Sequence, residues 1–166
     1  MGKLALTRID ARLIHGQIAS KWSKVLNISK IVIVDDETAH DDFMKQFFEM
    51  AGVPGVKTLI YGVEEGAKRW VEDSFGDGNI IAIFKDVDSA QRAYNAGFDY
   101  PSLDIGQVPG GTLDRMNIIG SVNLNSEEIK KLRELKISGV DVYFQSLPEP
   151  EDKPHELDMV LNKLKL

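Results

Sequence analysis

The sequence predicts an α/β fold, an open and mainly parallel β-sheet with helices on both faces. Short β-branched runs alternate along the chain with segments whose apolar residues recur at helical spacing, which is the pattern of repeated βα units. The runs Ile31-Val32-Ile33-Val34 and Ile80-Ile81-Ala82-Ile83-Phe84 are continuously apolar, as expected of strands covered on both faces. The chain of 166 residues, 43% hydrophobic, fits one domain over residues 1–166 with a core of ordinary size.

Taken in order, the first strand is expected over 4–9, followed by a helix carrying Ile18, Trp22, Val25 and Leu26 on one face. A strand over 30–35 leads to a second helix with Phe43, Phe47, Met50 and Ala51 at the same spacing, closed at Gly52. A strand over 56–61 precedes the stripe Val63, Ala67, Trp70 and Val71. All three stripes are read as core packing. The next strand spans 79–84, and Gly97 ends the helical stretch after it. A shorter strand is expected over 103–105, within the irregular segment 100–114 that carries Pro101, Gly106, Pro109, Gly110 and Gly111. A strand over 116–122 is followed by a helix capped by Asn125 or Ser126 and carrying Ile129, Leu132 and Leu135. The last strand covers 140–145. After a loop with Pro148, Pro150 and Pro154, Leu157, Val160, Leu161 and Leu164 form a final helix.

Composition removes several functions. Twenty Lys and Arg against 26 Asp and Glu give a formal charge of −6, which argues against nucleic acid as a partner. With no cysteine there is no disulfide, thiolate metal site or cysteine nucleophile. His15, His40 and His155 stand far apart, so no metal site is expected. The phosphate-loop, dinucleotide, nucleophile-elbow and zinc-protease motifs are missing, and no nucleotide or other cofactor is implied. The apolar runs are too short to span a bilayer and charge recurs early in the chain, so a cytoplasmic protein is expected.

In such sheets chemistry gathers beyond the carboxyl ends of the strands. There the sequence has Arg8-Ile9-Asp10-Ala11-Arg12-Leu13-Ile14-His15-Gly16-Gln17, two arginines, a carboxylate and a histidine in one strand-to-helix loop. The positive end of a helix dipole favours the neutral, nucleophilic imidazole, which a phosphoryl acceptor needs. Helical N–H groups and Arg12 could then bind the phosphoryl charge, and Gly16 keeps the approach free of a side chain. Chemistry alone leaves an equal alternative: His15 packs at the helix start, and Arg8 with Asp10 is an ordinary surface ion pair. A receiver-like module, suggested by Asp35-Asp36 and Lys85 at strand ends, lacks its phosphate-accepting aspartate, since the strand over 56–61 ends at Gly62. Asp35, Asp36, Asp41 and Asp42 are read as loop or cap residues or a partner-facing acidic edge, His40 as a surface loop residue and His155 as a helix-start residue.

The run Arg-Ile-Asp-x-Arg-Leu-Ile-His-Gly-Gln resembles the B subunit of the mannose/fructose/sorbose family of the bacterial sugar phosphotransferase system. Trp22, Lys24, Asp35-Asp36-Glu37-x-Ala39-x-Asp41, Phe84-Lys85-Asp86 and Gly139-Val140-Asp141-Val142-Tyr143 resemble the family's continuation, so the likeness covers the whole chain. The resemblance implies a protein-phosphohistidine–sugar phosphotransferase component. Nδ1 of His15 would accept a phosphoryl group from the phosphorylated A subunit and pass it to sugar bound in the membrane C and D subunits. Arg12 matches the arginine that steadies the phosphoryl group, and Gly16 and Gln17 would supply backbone N–H donors. Asp10 would orient the loop or the imidazole, and Arg8 would anchor the loop. The same chemistry could instead serve a regulator, and a homo-oligomer is compatible with the fold class. One departure stands out: Asp104-Ile105-Gly106-Gln107 replaces an Asn-(Ile/Val)-Gly-Gly-like segment. A carboxylate there repels phosphate unless it points away or is paired.

Overall fold

The computed structural model describes residues 1–111 and 114–166. Its main sheet has seven strands in the order β3-β2-β4-β1-β5-β8-β9. These are β1 (Gly2–Asp10), β2 (Lys30–Val34), β3 (Lys57–Tyr61), β4 (Gly78–Phe84), β5 (Ser102–Gln107), β8 (Asp141–Phe144) and β9 (His155–Glu156). Every pairing is parallel except that of β9 with β8. The expected strand over 116–122 is two: β6 (Met116–Ile119) and β7 (Val122–Leu124) form a separate antiparallel hairpin turned at Gly120, whose φ is +50°. Within the segment 100–114 the short strand expected over 103–105 is β5, longer at both ends and paired between β1 and β8, while the rest stays irregular and Thr112 and Leu113 lie outside the described residues. His155 is not a helix-start residue: it sits in the edge strand β9, and Glu156 after it caps the final helix.

Helices cover both faces. A π-helical turn (Ile18–Trp22) continuing into α1 (Ser23–Val25), together with α2 (Asp36–Ala39) and α3 (Asp42–Met50), follows β1 and β2. Ile18, Trp22 and Phe48 pack with Leu6, Ile31, Ile33, Ile81 and Ile83 in one core layer. The opposite layer joins α4 (Val63–Asp73), α5 (Val87–Asn95), α6 (Ser126–Ile137) and α7 (Leu157–Lys163) through Ala67, Ala90, Leu132 and Leu161 to the other sheet face. Helix starts follow the capping logic. Asp35, Asp41 and Asp86 each accept a backbone N–H of the first turn, and Asn125 with Glu128 forms a reciprocal capping box.

The stripe on α3 departs from the core reading, and three others depart at a single residue each. On α3, Phe43, Phe47 and Met50 are 74%, 50% and 86% exposed, and the helix buries Phe48 instead. The Asp41 cap fixes where the helix starts, and its inward face is turned by one residue from the stripe. Val25 is exposed because the wider π-helical turn brings Ser23, not Val25, inward. Val71 is exposed beside a partly buried Trp70, and Leu164 lies past the end of α7. Gly97 takes the left-handed cap conformation as expected, at φ +112°. Gly52 does not. A side chain there would meet Thr58 Oγ1 at 2.8 Å, so close approach to β3 explains the glycine. Among the described residues, no helix is long and apolar enough to cross a membrane.

Candidate phosphoryl-transfer site

The chain leaves β1 toward β2 on one side, while β5, the other neighbour of β1, leads toward β8. Connections diverge there, which opens a crevice at the carboxyl ends of the two strands. The segment from Asp10 to Gln17 occupies it. Its turn is tied by Leu13 N–H to the Asp10 carbonyl at 2.9 Å and by Ala11 N–H to the Gln107 carbonyl at 3.1 Å. Leu13 takes the left-handed φ of +58°, a strained choice for a branched side chain that is held by burial in the core.

Asp10 is the hub. Its Oδ1 accepts the Arg12 backbone N–H at 3.1 Å and Nε at 3.0 Å, and its Oδ2 accepts Arg12 Nη2 at 3.1 Å. The same Oδ2 lies 2.8 Å from His15 Nε2 and within 3.3 Å of Arg8 Nε and Nη2. Burial alone would raise this carboxyl, but the His15 and Arg12 hydrogen bonds and the Arg8 charge outweigh it and hold Asp10 far below the ordinary carboxylate range. An ionised carboxylate only accepts, so Nε2 of His15 must carry the proton. Nδ1 is then an acceptor, and the Gln17 backbone N–H points at it from 3.3 Å.

Arg8 is fully buried, which overturns its reading as half of a surface ion pair. All five guanidinium N–H donors find acceptors. Besides Asp10, Nη1 donates to Asp104 Oδ2 at 2.5 Å and to the Gln145 carbonyl at 2.7 Å, and Nη2 to the Ser146 carbonyl at 3.2 Å. The indole of Trp22 lies with its ring centre 5.4 Å from Arg8 Cζ, and its Nε1 donates to the same Ser146 carbonyl at 3.1 Å. On β5, a Cβ at Gly106 would sit 1.9 Å from Arg8 Cζ, so the glycine makes room for the guanidinium. Arg8 thereby ties the ends of β1, β5 and β8 into one platform beneath the loop.

The structure therefore brings together Arg8, Asp10, Arg12, His15 and Gln17, with Gly16 beside the imidazole and nothing within 4 Å of where its Cβ would be. Arg12 is 40% exposed at the side chain and also reaches Gln17 Oε1 at 3.4 Å. His15 keeps 13% of its side chain exposed. Asp104 is completely buried and paired, with Oδ1 accepting the Gln145 N–H at 2.9 Å. Burial pushes its carboxyl up to about 7 against the pull of Arg8. Sequence reasoning missed Trp22, Gly106 and the Gln145 and Ser146 carbonyls as parts of the site. The polar Asp104 and bare Gly106 flanking Ile105 were the available signal. Asp36 is engaged by the Val63 N–H and Arg92, and His40 is exposed at the end of α2, so neither joins the site. Among the described residues, no three His, Asp or Glu side chains gather closely enough to hold a metal ion.

Known proteins share this architecture. Residues 4–166 match the family described as the PTS system sorbose subfamily IIB component. The manxB crystal structure from Thermoanaerobacter tengcongensis is 39% identical and superposes with a TM-score of 0.87, covering 98% of this chain and 97% of that one. A probable phosphotransferase enzyme IIB component of Streptococcus pyogenes is 31% identical over 85% of this chain and 90% of its own length. The mannose-specific EIIAB component of Escherichia coli is 24% identical over 96% of this chain, which spans only 50% of that relative's length.

Proposed function

Because the chain belongs to the sorbose subfamily of phosphotransferase-system IIB components, we propose that residues 1–166 act as one phosphoryl carrier of a sugar uptake system, with Nδ1 of His15 as the carrier atom. The observation that carries this reading is the fixed imidazole: Asp10 holds Nε2 at 2.8 Å and leaves the Nδ1 lone pair turned to the Gln17 N–H at the helix start.

In the first step Nδ1 attacks the phosphorus of a phosphohistidine on an A subunit or domain. The donor's N–P bond breaks as the new one forms, and the donor imidazole leaves with its electron pair. The ring of His15 then carries positive character, which the Asp10 carboxylate stabilises through Nε2–H. The Gln17 N–H, which faces Nδ1, and the partly exposed Arg12 would donate to the phosphoryl oxygens, and the open space at Gly16 leaves room for the donor. In the second step a hydroxyl of sugar held by the membrane C and D subunits attacks the phosphorus, the Nδ1–P bond breaks with its electron pair returning to the ring of His15, and the hydroxyl proton passes to water. Positioning and charge stabilisation suffice for such a transfer. The carrier works at the cytoplasmic face of that permease.

Phosphorus NMR tests the reading. The protein is incubated with phosphoenolpyruvate, the general phosphotransferase proteins and a matching A subunit, with His15→Ala in parallel. An Nδ1-phosphohistidine resonance absent from the variant is the expected result. No resonance from the wild type with a demonstrably active A subunit overturns it.

A further inference from the structure

Two buried carboxylates share Arg8, and they share it unequally. Nη1 donates to Asp104 at 2.5 Å, whereas both contacts to Asp10 are longer, at 3.2 and 3.3 Å. The Gln145 carbonyl takes the second hydrogen of the same Nη1 at 2.7 Å, so that nitrogen is fully engaged away from Asp10. The guanidinium cannot drift freely, since Gly106 lies against one part of it and Trp22 against another. The hydrogen bonds of Asp104 go to Arg8 and to the Gln145 N–H and none goes to His15, so it meets the imidazole only through the arginine that it shares with Asp10.

We propose that Asp104 is a positioning residue for phosphoryl transfer: by drawing Arg8 onto itself it leaves the charge of Asp10 available to the Nε2–H of His15. The inference rests on His15 being the carrier. A carboxylate less neutralised by its cation is a stronger hydrogen-bond acceptor, and in a buried network such effects pass from bond to bond. A stronger Asp10–His15 bond makes Nδ1 the better nucleophile and holds the positive ring of the phosphorylated form. Removing the Asp104 charge leaves the fixed cation of Arg8 balanced by Asp10 alone, which neutralises Asp10 more fully and weakens that bond. The charged and titratable groups facing Asp104 are Arg8 and Asp10 from β1 and Tyr143 from β8, and Tyr143 is itself pushed up by burial and by the Asp104 charge.

The test compares wild type with Asp104→Asn at pH 8, using the His15 Nε2–H proton resonance of the unphosphorylated protein. In the variant this resonance is expected upfield of its wild-type position. The rate of phosphoryl acceptance is expected to fall by about 3- to 10-fold, with KM for the phosphorylated donor unchanged, because Asp10 itself remains. The same Nε2–H position in folded wild type and variant overturns the proposal. Should the amide of Asn oppose the donors around it and prevent folding, Asp104→Ser takes its place, being smaller, and is read by the same two outcomes. The resonance needs no phosphorylation, so a wild type that never accepts phosphate defeats the carrier reading while the Asp104–His15 coupling is judged separately.

Discussion

His15 Nε2 and Asp10 Oδ2 lie 2.8 Å apart, and this one contact decides which ring nitrogen carries the proton and which keeps its lone pair. Asp10 stays ionised because Arg8 and Arg12 both bond it, so the proton belongs to Nε2 and the lone pair to Nδ1. His15→Ala is expected to abolish phosphorylation while changing stability by no more than about 1 kcal/mol, since Asp10 keeps both arginines. Radiolabel transfer from the phosphorylated A subunit, with thermal unfolding alongside, checks both halves.

Arg12→Ala should slow transfer by about 10- to 150-fold, the equivalent of losing a charge-assisted hydrogen bond of about 1.5–3 kcal/mol. Arg12 is partly exposed, so the fold should survive. Stopped-flow transfer rates matching wild type would show that the arginine serves only the Asp10 clasp.

Asp10→Asn should cost about 3–5 kcal/mol at pH 7, because it removes a buried charge that two arginines require. The folded-state pKa of Asp10 lies below its unfolded value. Its stabilisation is therefore complete above that unfolded value of about 3.9 and is lost as pH falls through the depressed folded one. Urea titrations should give a constant difference between the two proteins from pH 5 to pH 7 and a shrinking one at more acid pH. A difference that shrank toward neutral pH instead would contradict the pairing.

Gly106→Ala adds one methyl, yet it should destabilise by more than about 3 kcal/mol, since the new carbon would lie 1.9 Å from Arg8 Cζ inside a closed network. Both the urea midpoint and the transfer rate should fall. A neutral effect on both would mean that Arg8 can leave its place without consequence.

On α3 the expected pattern is a contrast between adjacent phenylalanines. Phe48→Ala should cost about 3–5 kcal/mol, whereas Phe43→Ser should stay within about 0.5 kcal/mol, because only Phe48 is buried. Equal losses would restore the reading in which the stripe Phe43, Phe47 and Met50 faces the core.

Several parts of this molecule were legible in order of residues alone. The apolar runs of β2 and β4 declare a sheet covered on both sides, since a strand buried on two faces has no polar positions to alternate. Asn125 or Ser126 marks the start of α6, and the structure makes Asn125 the cap. The loop from Arg8 to Gln17 concentrates charge and a histidine where strand gives way to helix, so it could be singled out without coordinates, although side-chain chemistry alone left its role open and only the family resemblance named one. The face of α3 was not legible, because periodicity defines a stripe but not its direction. Whether Phe43 or Phe48 turns inward depends on where Asp41 starts the helix and how the helix meets β2 and β3.

What the sequence by itself determined is the alternation of elements and the gathering of two arginines, a carboxylate and a histidine in one strand-to-helix segment, since both follow from local spacing. What only the tertiary structure decided is how those residues are charged and aimed. Arg8 and Asp104 are 96 positions apart in the chain yet meet at 2.5 Å, and Gln145, more distant still, completes the cage. A carboxylate's effect on phosphate depends on burial and on the cation beside it, which are set by the packing of β1, β5 and β8 and have no local signature in the chain.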